Sequence, residues 1–191
     1  TGLPGERALE RNFYGVLRVL ETDVDQPEKA MHRMVHGRIV HGLQFTAPDR
    51  RQIPTAYYGE QTAVGRLLAA PATQPRKVGM VGLGVGTLAV YGRPGDQFRF
   101  YEINPDVIRL AKEHFTYLRD SAANVEHVVG DARLSLEQEP PQQFDVLVLD
   151  AFSSDAIPAH LLTEEAFAIY LKHLAPQGVL AIHITNRHFD L

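Results

Sequence analysis

With 191 residues, 45% of them hydrophobic and 22% charged, the chain is long enough to bury a full core and should form one large domain with a small appendage. A formal net charge of −4 argues against a dedicated nucleic-acid binder, which needs clustered Lys and Arg, and would suit a cationic substrate. There are no cysteines, so disulfides and thiolate metal sites are excluded. No apolar run approaches the ~18 residues of a membrane span, and the first residues lack the basic start and apolar middle of a signal peptide, so a cytoplasmic setting is expected.

From the N-terminus, residues 13–21 and 31–45 are apolar and β-branched around a polar break at 23–29. That predicts two or three antiparallel strands in a small β domain over 1–56. His32, His36 and His41 fall within these strands; without a carboxylate at ligand spacing they read as surface or half-buried residues, and no metal is expected. After a polar loop from Pro48 to Pro54, Val64, Leu67 and Leu68 stand at helical spacing, which predicts a helix over 57–70 and a linker to 76.

From residue 77 onward strands and helices alternate, the pattern of a parallel sheet with covering helices, and a Rossmann-like nucleoside-binding domain is expected over 77–191. Val78, Met80 and Val81 form an apolar strand that breaks into Gly82, Gly84 and Gly86, and the apolar segment 87–91 can begin a helix. Without a Cβ the backbone can take positive φ and a ligand can lie against bare main chain; taken alone, such a motif is equally a close-packed turn. A second strand over 98–103 delivers Glu102 to its C-terminal end, 20 positions beyond Gly82, where a carboxylate can accept hydrogen bonds from both hydroxyls of a ribose.

Asn104 and Pro105 open the next helix as N-cap and first-turn proline, with Val107, Ile108, Ala111, Phe115 and Leu118 as its buried stripe. A third strand over 124–129 leads to Asp131, and a fourth over 144–149 leads to Asp150. Thr163 caps a helix whose inward residues are Phe167, Tyr170, Leu171 and Leu174, and 178–184 forms a fifth strand. Three strand ends thus carry acids, Glu102, Asp131 and Asp150, at the sheet edge where open α/β folds bind ligands. Each also has an ordinary explanation, since an Asp after a strand often only caps the following helix.

The segments Val-Gly-Leu-Gly-Val-Gly (81–86), Tyr-Glu-Ile-Asn (101–104), Gly-Asp-Ala-Arg (130–133) and Leu-Asp-Ala-Phe-Ser-Ser-Asp-Ala-Ile-Pro (149–158), with Phe13-Tyr14 and Tyr57-Tyr58, resemble the spermidine synthase family of polyamine aminopropyltransferases. The resemblance spans about residues 12–191 and is nearest to the bacterial spermidine synthase-like branch; the first two segments alone would fit any class I AdoMet-dependent methyltransferase. It implies a class I methyltransferase-like, Rossmann-like α/β fold with an N-terminal antiparallel β domain. It also implies transfer of an aminopropyl group from decarboxylated AdoMet (or use of AdoMet itself) to an amine such as putrescine, with no metal and with release of methylthioadenosine.

Carried over by position, the resemblance implies that Gly82, Gly84, Gly86 and Glu102 hold the nucleoside and that Asp131 with the Ala132 amide reads the adenine edge. Asp150 and Asp155 resemble the paired catalytic aspartates, Asp150 taking a proton from the attacking amine, and Gln44, Tyr57 and Tyr58 are implied on the amine side. A homodimer or homotetramer is the family habit.

Three departures bear on the amine: Val85 stands where the family's glycine loop usually carries an Asp, Gly15 where a Gln follows the first-strand tyrosine, and Tyr58 where His or Gln follows a tyrosine. A full class I fold continues past the fifth strand with a helix and an antiparallel pair, so the missing strands are expected from a longer protein or a partner. Two other readings follow: a nucleoside-binding or regulatory module without activity, and an AdoMet-dependent methyltransferase. The lack of an Asn-Pro-Pro-Tyr signature after the fourth strand weighs against the second.

Overall fold

In the computed structural model, which describes residues 3–37, 39–151 and 158–183, the chain builds two sheets. The first is an antiparallel meander of β1 (Glu6–Asn12), β2 (Gly15–Thr22), β3 (Met31–His36) and β4 (Ile39–Phe45), in that order. It has one strand more than the hydrophobic pattern predicts. β1 reads Glu-Arg-Ala-Leu-Glu-Arg-Asn and is held to β2 by cross-strand pairs, Arg7 with Glu21 and Arg18 with Glu6, so charge conceals it from a search for apolar runs. Phe13 and Tyr14, expected to start a strand, form the hairpin turn: Phe13 is 96% exposed, and the Tyr14 N–H donates to Asn12 Oδ1 at 2.9 Å.

The helix expected over 57–70 is shorter. A single 3-10 turn occupies Ala56–Tyr58, and α1 runs only over Ala63–Ala69. Thr62 sets the start, because its Oγ1 accepts from the Gly65 N–H at 3.1 Å, and Pro71 lies just past the end.

The second sheet holds β5 (Lys77–Val81), β6 (Gln97–Glu102), β7 (Asn124–Val129), β8 (Phe144–Leu149) and β9 (Leu174–Ile182) in the order β7-β6-β5-β8-β9, all parallel. Strand order therefore reverses between β5 and β8. Val81 pairs with Tyr101 on one side and Leu149 on the other, and Glu102 pairs with Val129. This register brings the residues just beyond each strand to one level on the C-terminal edge.

Three helices connect these strands: α2 (Pro105–His114), α3 (Ala132–Gln138) and α4 (Glu164–His173). The caps are the expected ones: Asn104 Oδ1 accepts from the Asp106 N–H at 3.1 Å and Thr163 Oγ1 from the Ala166 N–H at 3.2 Å. In α4 the buried positions are Ala166, Tyr170 and His173, spaced i, i+4, i+7; this phase turns Leu171 outward, 60% exposed, against the expected inward face. Segment 87–91 is a buried 3-10 turn, ended by Gly92, and not the first turn of an α-helix.

β9 follows α4 without a connecting loop. Between its pairings with Phe144 and Val146 the register shifts, and a Cβ at Gly178 would lie 2.4 Å from the Phe144 carbonyl. One core cluster joins Leu17, Val19 and Met34 of the first sheet to Val78, Met80, Phe98 and Phe100 of the second. The opposite face of the parallel sheet packs Tyr101, Leu147 and Leu149 against Leu136 and Tyr170. Among the described residues no helix is long and apolar enough to cross a membrane.

Candidate active site

The apolar strand β5 must end where the glycines begin, because the turn they make is left-handed: φ is 93° at Gly82, 55° at Gly84 and 80° at Gly86. Two of these glycines are also fixed by what lies opposite. A Cβ on Gly82 would stand 2.3 Å from the Asp150 carbonyl oxygen, and one on Gly84 would stand 2.5 Å from the His41 carbonyl oxygen. The glycine turn is thus wedged between the end of β8 and the antiparallel sheet. Gly82→Ala is expected to lower stability by about 1–3 kcal/mol from the backbone conformation alone, and a thermal melt measures it.

Beyond this turn lies a cavity of about 330 Å³, at the lower end of the ~300–1,000 Å³ usual for small-molecule sites. Gly82, Gly84, Glu102, Asp131, Ala132 and Asp150 all line it, so the three strand-end acids and the turn converge as their spacing suggests. Gly86 faces Leu118 and is not on the wall.

Glu102 is 9% exposed. Its Oε2 accepts from the Leu83 N–H at 3.0 Å and its Oε1 from the Asn104 N–H at 2.9 Å. Burial raises its carboxyl above the usual range, and hydrogen bonds from the Asn104, Leu83 and Ile103 amides oppose that rise. Each oxygen keeps a lone pair for a ligand. Beside it, Asn104 spends its Oδ1 on the α2 cap and on Asn12 Nδ2 at 2.7 Å, while its buried Nδ2 has no partner among the described residues. A carboxylate that can accept and a buried amide N–H donor without a partner among the described residues therefore stand side by side.

Asp150 follows β8, its N–H donating to the Val81 carbonyl at 2.8 Å. Burial pushes its carboxyl up to about 8, a rise that the Tyr57 hydroxyl, bonded to it, works against. Its buried Oδ1 has no partner among the described residues. Burial, and then the charge of Asp150, push the Tyr57 phenol upward, so it remains protonated and acts as donor. The Tyr57 ring is stacked on His183 with centroids 3.9 Å apart, which fixes the hydroxyl's reach.

Asp131 does two things at once. Its Oδ1 accepts from the Leu134 N–H at 2.9 Å, the ordinary cap of α3, and its Oδ2 meets His160 Nε2 at 2.8 Å on the cavity wall. Asp155 lies outside the described residues.

None of the three residues expected on the amine side lines the cavity: Tyr57 touches Asp150 from behind the wall, and the other two stand elsewhere. Gln44 is 3% exposed and fully engaged: Nε2 donates to the Arg51 carbonyl at 2.8 Å and to Thr116 Oγ1 at 3.0 Å, while Oε1 accepts from the Thr116 N–H at 2.9 Å. It ties β4 to the segment after α2. Tyr58 is buried in the core, and its carbonyl accepts from the Tyr91 hydroxyl at 2.6 Å. Neither lines the cavity.

In their place the antiparallel sheet contributes Tyr14, His36 and His41 to the wall. His36 Nε2 meets the Tyr14 carbonyl at 2.7 Å, and the His36 and His41 rings lie 5.3 Å apart. Burial, and then His36, depress His41 to about 4, so it is a neutral imidazole at pH 7. His32 turns away to the His114 carbonyl, and no group of three metal-binding side chains is found among the described residues. Sequence reasoning took these histidines for bystanders, because only the docking of one sheet on the other brings two of them to the cavity.

No protein-family model matches the chain. Among curated proteins it is similar to the polyamine aminopropyltransferase of Vibrio vulnificus (strain CMCP6), 29% identical over 168 residues that cover 78% of this chain and 54% of that protein. The chain therefore spans about half the length of this relative. Among solved structures it is similar to a probable spermidine synthase from Corynebacterium glutamicum ATCC 13032, with a TM-score of 0.72, 23% identity and coverage of 95% of this chain and 64% of that one. A spermidine synthase in complex with the transition state analogue AdoDATO gives a TM-score of 0.68 at 19% identity, over 93% of this chain and 57% of that one. These likenesses establish the fold, a class I methyltransferase-like parallel sheet carrying a small antiparallel one. In sequence the chain is thus similar to two curated polyamine aminopropyltransferases, and in fold to solved spermidine synthases.

Proposed function

We propose that this chain carries the nucleoside and acceptor sites of an aminopropyltransferase, which moves the aminopropyl group of decarboxylated AdoMet onto a polyamine such as putrescine and releases methylthioadenosine. The observation that carries this reading is Asp150: a carboxyl held at about 8, on the cavity wall at the strand-order reversal, beside the glycine turn and Glu102. A general base works best when its pKa lies near the working pH.

The chemistry gives such a group its task. An amine is largely protonated at neutral pH and cannot attack until it sheds a proton. Asp150, in its ionised form, attracts the ammonium and takes that proton; the freed lone pair of the nitrogen then bonds to the aminopropyl carbon as the carbon–sulfur bond breaks. The bonding pair returns to the sulfonium, which leaves as a neutral thioether and needs no acid. In this reading Glu102 accepts from the ribose hydroxyls, the Gly82–Gly84 main chain lies along the nucleoside, and Asp131 faces the base.

The test is calorimetric binding of decarboxylated AdoMet, AdoMet and methylthioadenosine, each with and without putrescine. The reading expects preference for the decarboxylated form, strengthened by the amine. Glu102→Ala is expected to weaken methylthioadenosine by about 2 kcal/mol or more, roughly thirtyfold, as a hydrogen-bonded charge is lost. Equal affinity in that variant would remove Glu102 from the nucleoside site.

A second reading, a nucleoside-binding module without activity, has one observation in its favour. Val85, at the position of the family's glycine-loop Asp, is 1% exposed and packs in the core instead of on the wall. Equal binding of all three nucleosides with no effect of putrescine would select this reading.

A further inference from the structure

We infer that His160 is a positioning residue for nucleobase recognition: by holding Asp131 Oδ2 at the cavity wall it makes the site selective for a 6-aminopurine over a 6-oxopurine. The inference rests on the nucleoside reading above and extends it to a residue that the motifs do not assign.

The observation behind it is that Asp131 has more acceptor capacity than its place in the fold requires. Capping α3 takes one oxygen, and Oδ1 alone supplies it, to the Leu134 N–H at 2.9 Å. Asn, Ser or Thr would cap as well. The second oxygen is the one met by His160 Nε2, at 2.8 Å. A carboxylate offers only acceptors, so Nε2 carries the hydrogen and donates it. Oδ2 then keeps a further lone pair. Both side chains line the cavity, with Gly130 and Ala132 beside them.

His160 is itself clamped. It sits in a 3-10 turn, Ala159–Leu161, whose carbonyls are taken from two sides: the His160 carbonyl accepts from Arg133 Nη1 at 2.9 Å, and the Leu161 carbonyl from the Tyr170 hydroxyl at 3.1 Å. Leu161, 5% exposed, anchors the turn in the core cluster around Tyr170. The turn thus holds the His160 backbone, and its half-exposed imidazole, through the contact with Oδ2, directs the lone pair that remains.

The consequence for a ligand follows from donor and acceptor types. The exocyclic amino group of adenine donates to that lone pair. The carbonyl at the same position of hypoxanthine sets an acceptor against a carboxylate and leaves both without a hydrogen. Released from His160, the carboxylate is held by the Leu134 N–H alone and can rock about its Cβ–Cγ bond, which spoils the direction of the Oδ2 lone pair and loosens the α3 cap with it.

The test is the affinity ratio of methylthioadenosine to methylthioinosine, measured by calorimetry on the full chain. The unaltered protein is expected to prefer the adenine compound by at least about tenfold, the worth of one hydrogen bond to a charged group. His160→Ala is expected to bring the ratio to within about twofold, mainly by weakening the adenine compound. His160→Gln, which keeps an N–H donor, is expected to recover most of the preference. Asp131→Asn preserves the helix cap, checked by circular dichroism, and is expected to erase the preference through Asp131 itself. A His160→Ala protein that keeps the ratio, or weakens both compounds equally, would overturn the inference and leave His160 a structural residue. If the unaltered protein binds neither compound, the nucleoside reading falls and takes this inference with it. If binding is present and sensitive to Glu102→Ala while the ratio ignores His160, the nucleoside reading stands and only the inference fails.

Discussion

Replacing Asp150 by asparagine is expected to give a protein that is both inactive and more stable. On the activity side, the aminopropyltransferase reading makes Asp150 the general base, so turnover should fall by about 10²–10⁴, while methylthioadenosine affinity should stay within about twofold because that reading gives the nucleoside to Glu102 and the glycine turn. On the stability side, the sign follows from the direction of the shift. The folded carboxyl is held at about 8, above the ~4 of an unfolded aspartate, so the unfolded chain releases its proton first as pH rises. Stability is therefore lost between about pH 4 and pH 8, and asparagine removes that loss. The gain at pH 7 is up to about 4 kcal/mol and should vanish below about pH 4, which urea unfolding at several pH values measures. A variant that is inactive but no more stable at neutral pH would mean that Asp150 is already ionised in the free protein. The rate of the parent should in turn rise with pH toward about 8.

The largest loss of stability is expected far from the cavity, at Asp96. Its side chain is 2% exposed and lies against the almost equally buried guanidinium of Arg76, with Oδ2 to Nη2 at 2.7 Å and to Nε at 3.2 Å, and Oδ1 to the Arg76 N–H at 2.7 Å. Arg76 also donates to the Leu68 carbonyl at 2.7 Å and the Tyr91 carbonyl at 3.1 Å, so the end of α1, the turn after the glycines and the start of β5 meet on one cation. Asp96→Ala leaves that cation buried without its counter-charge, a change of about 3–5 kcal/mol, equivalent to a fall in Tm of roughly 10 °C or more. Burial raises the Asp96 carboxyl, but the hydrogen bonds from Arg76 and Arg93 outweigh it and hold it below the usual range. A depressed carboxyl stabilises above its unfolded value and loses that contribution as pH falls through the folded one. The parent should thus lose part of its stability below about pH 4, and the Asp96→Ala protein should lack that part of the acid transition.

Nothing in the sequence marks Arg76 and Asp96 as partners, and the reason is general to what was and was not legible. The glycine turn, Glu102 and Asp150 could be read because each follows an apolar strand, and parallel strands in register deliver their next residues to one edge. β1 was hidden because its cross-strand partners are charges, and the outward turn of Leu171 because the phase of a ten-residue helix is set by what it packs on. Gln44 and Tyr58 belong by type to an amine site, yet the fold uses every hydrogen-bonding group of one amide and buries the other ring. Tyr14, His36 and His41 reach the cavity only through contact between sheets, which no local spacing encodes. Asp131 caps α3 with one oxygen, as the ordinary reading has it, and turns the other to His160 at the cavity.

The meeting of the two sheets also governs what position 85 can hold. A Cβ on Gly42, in β4, would stand 2.5 Å from a Val85 methyl, so the bare backbone of one sheet receives the side chain of the other. Val85 answers to Gly42 and not to a ligand. Introducing an aspartate there would sink a charge among the apolar side chains that Val85 packs with. A side chain at position 42 can therefore enter only if position 85 gives up volume, which couples the two positions across the seam.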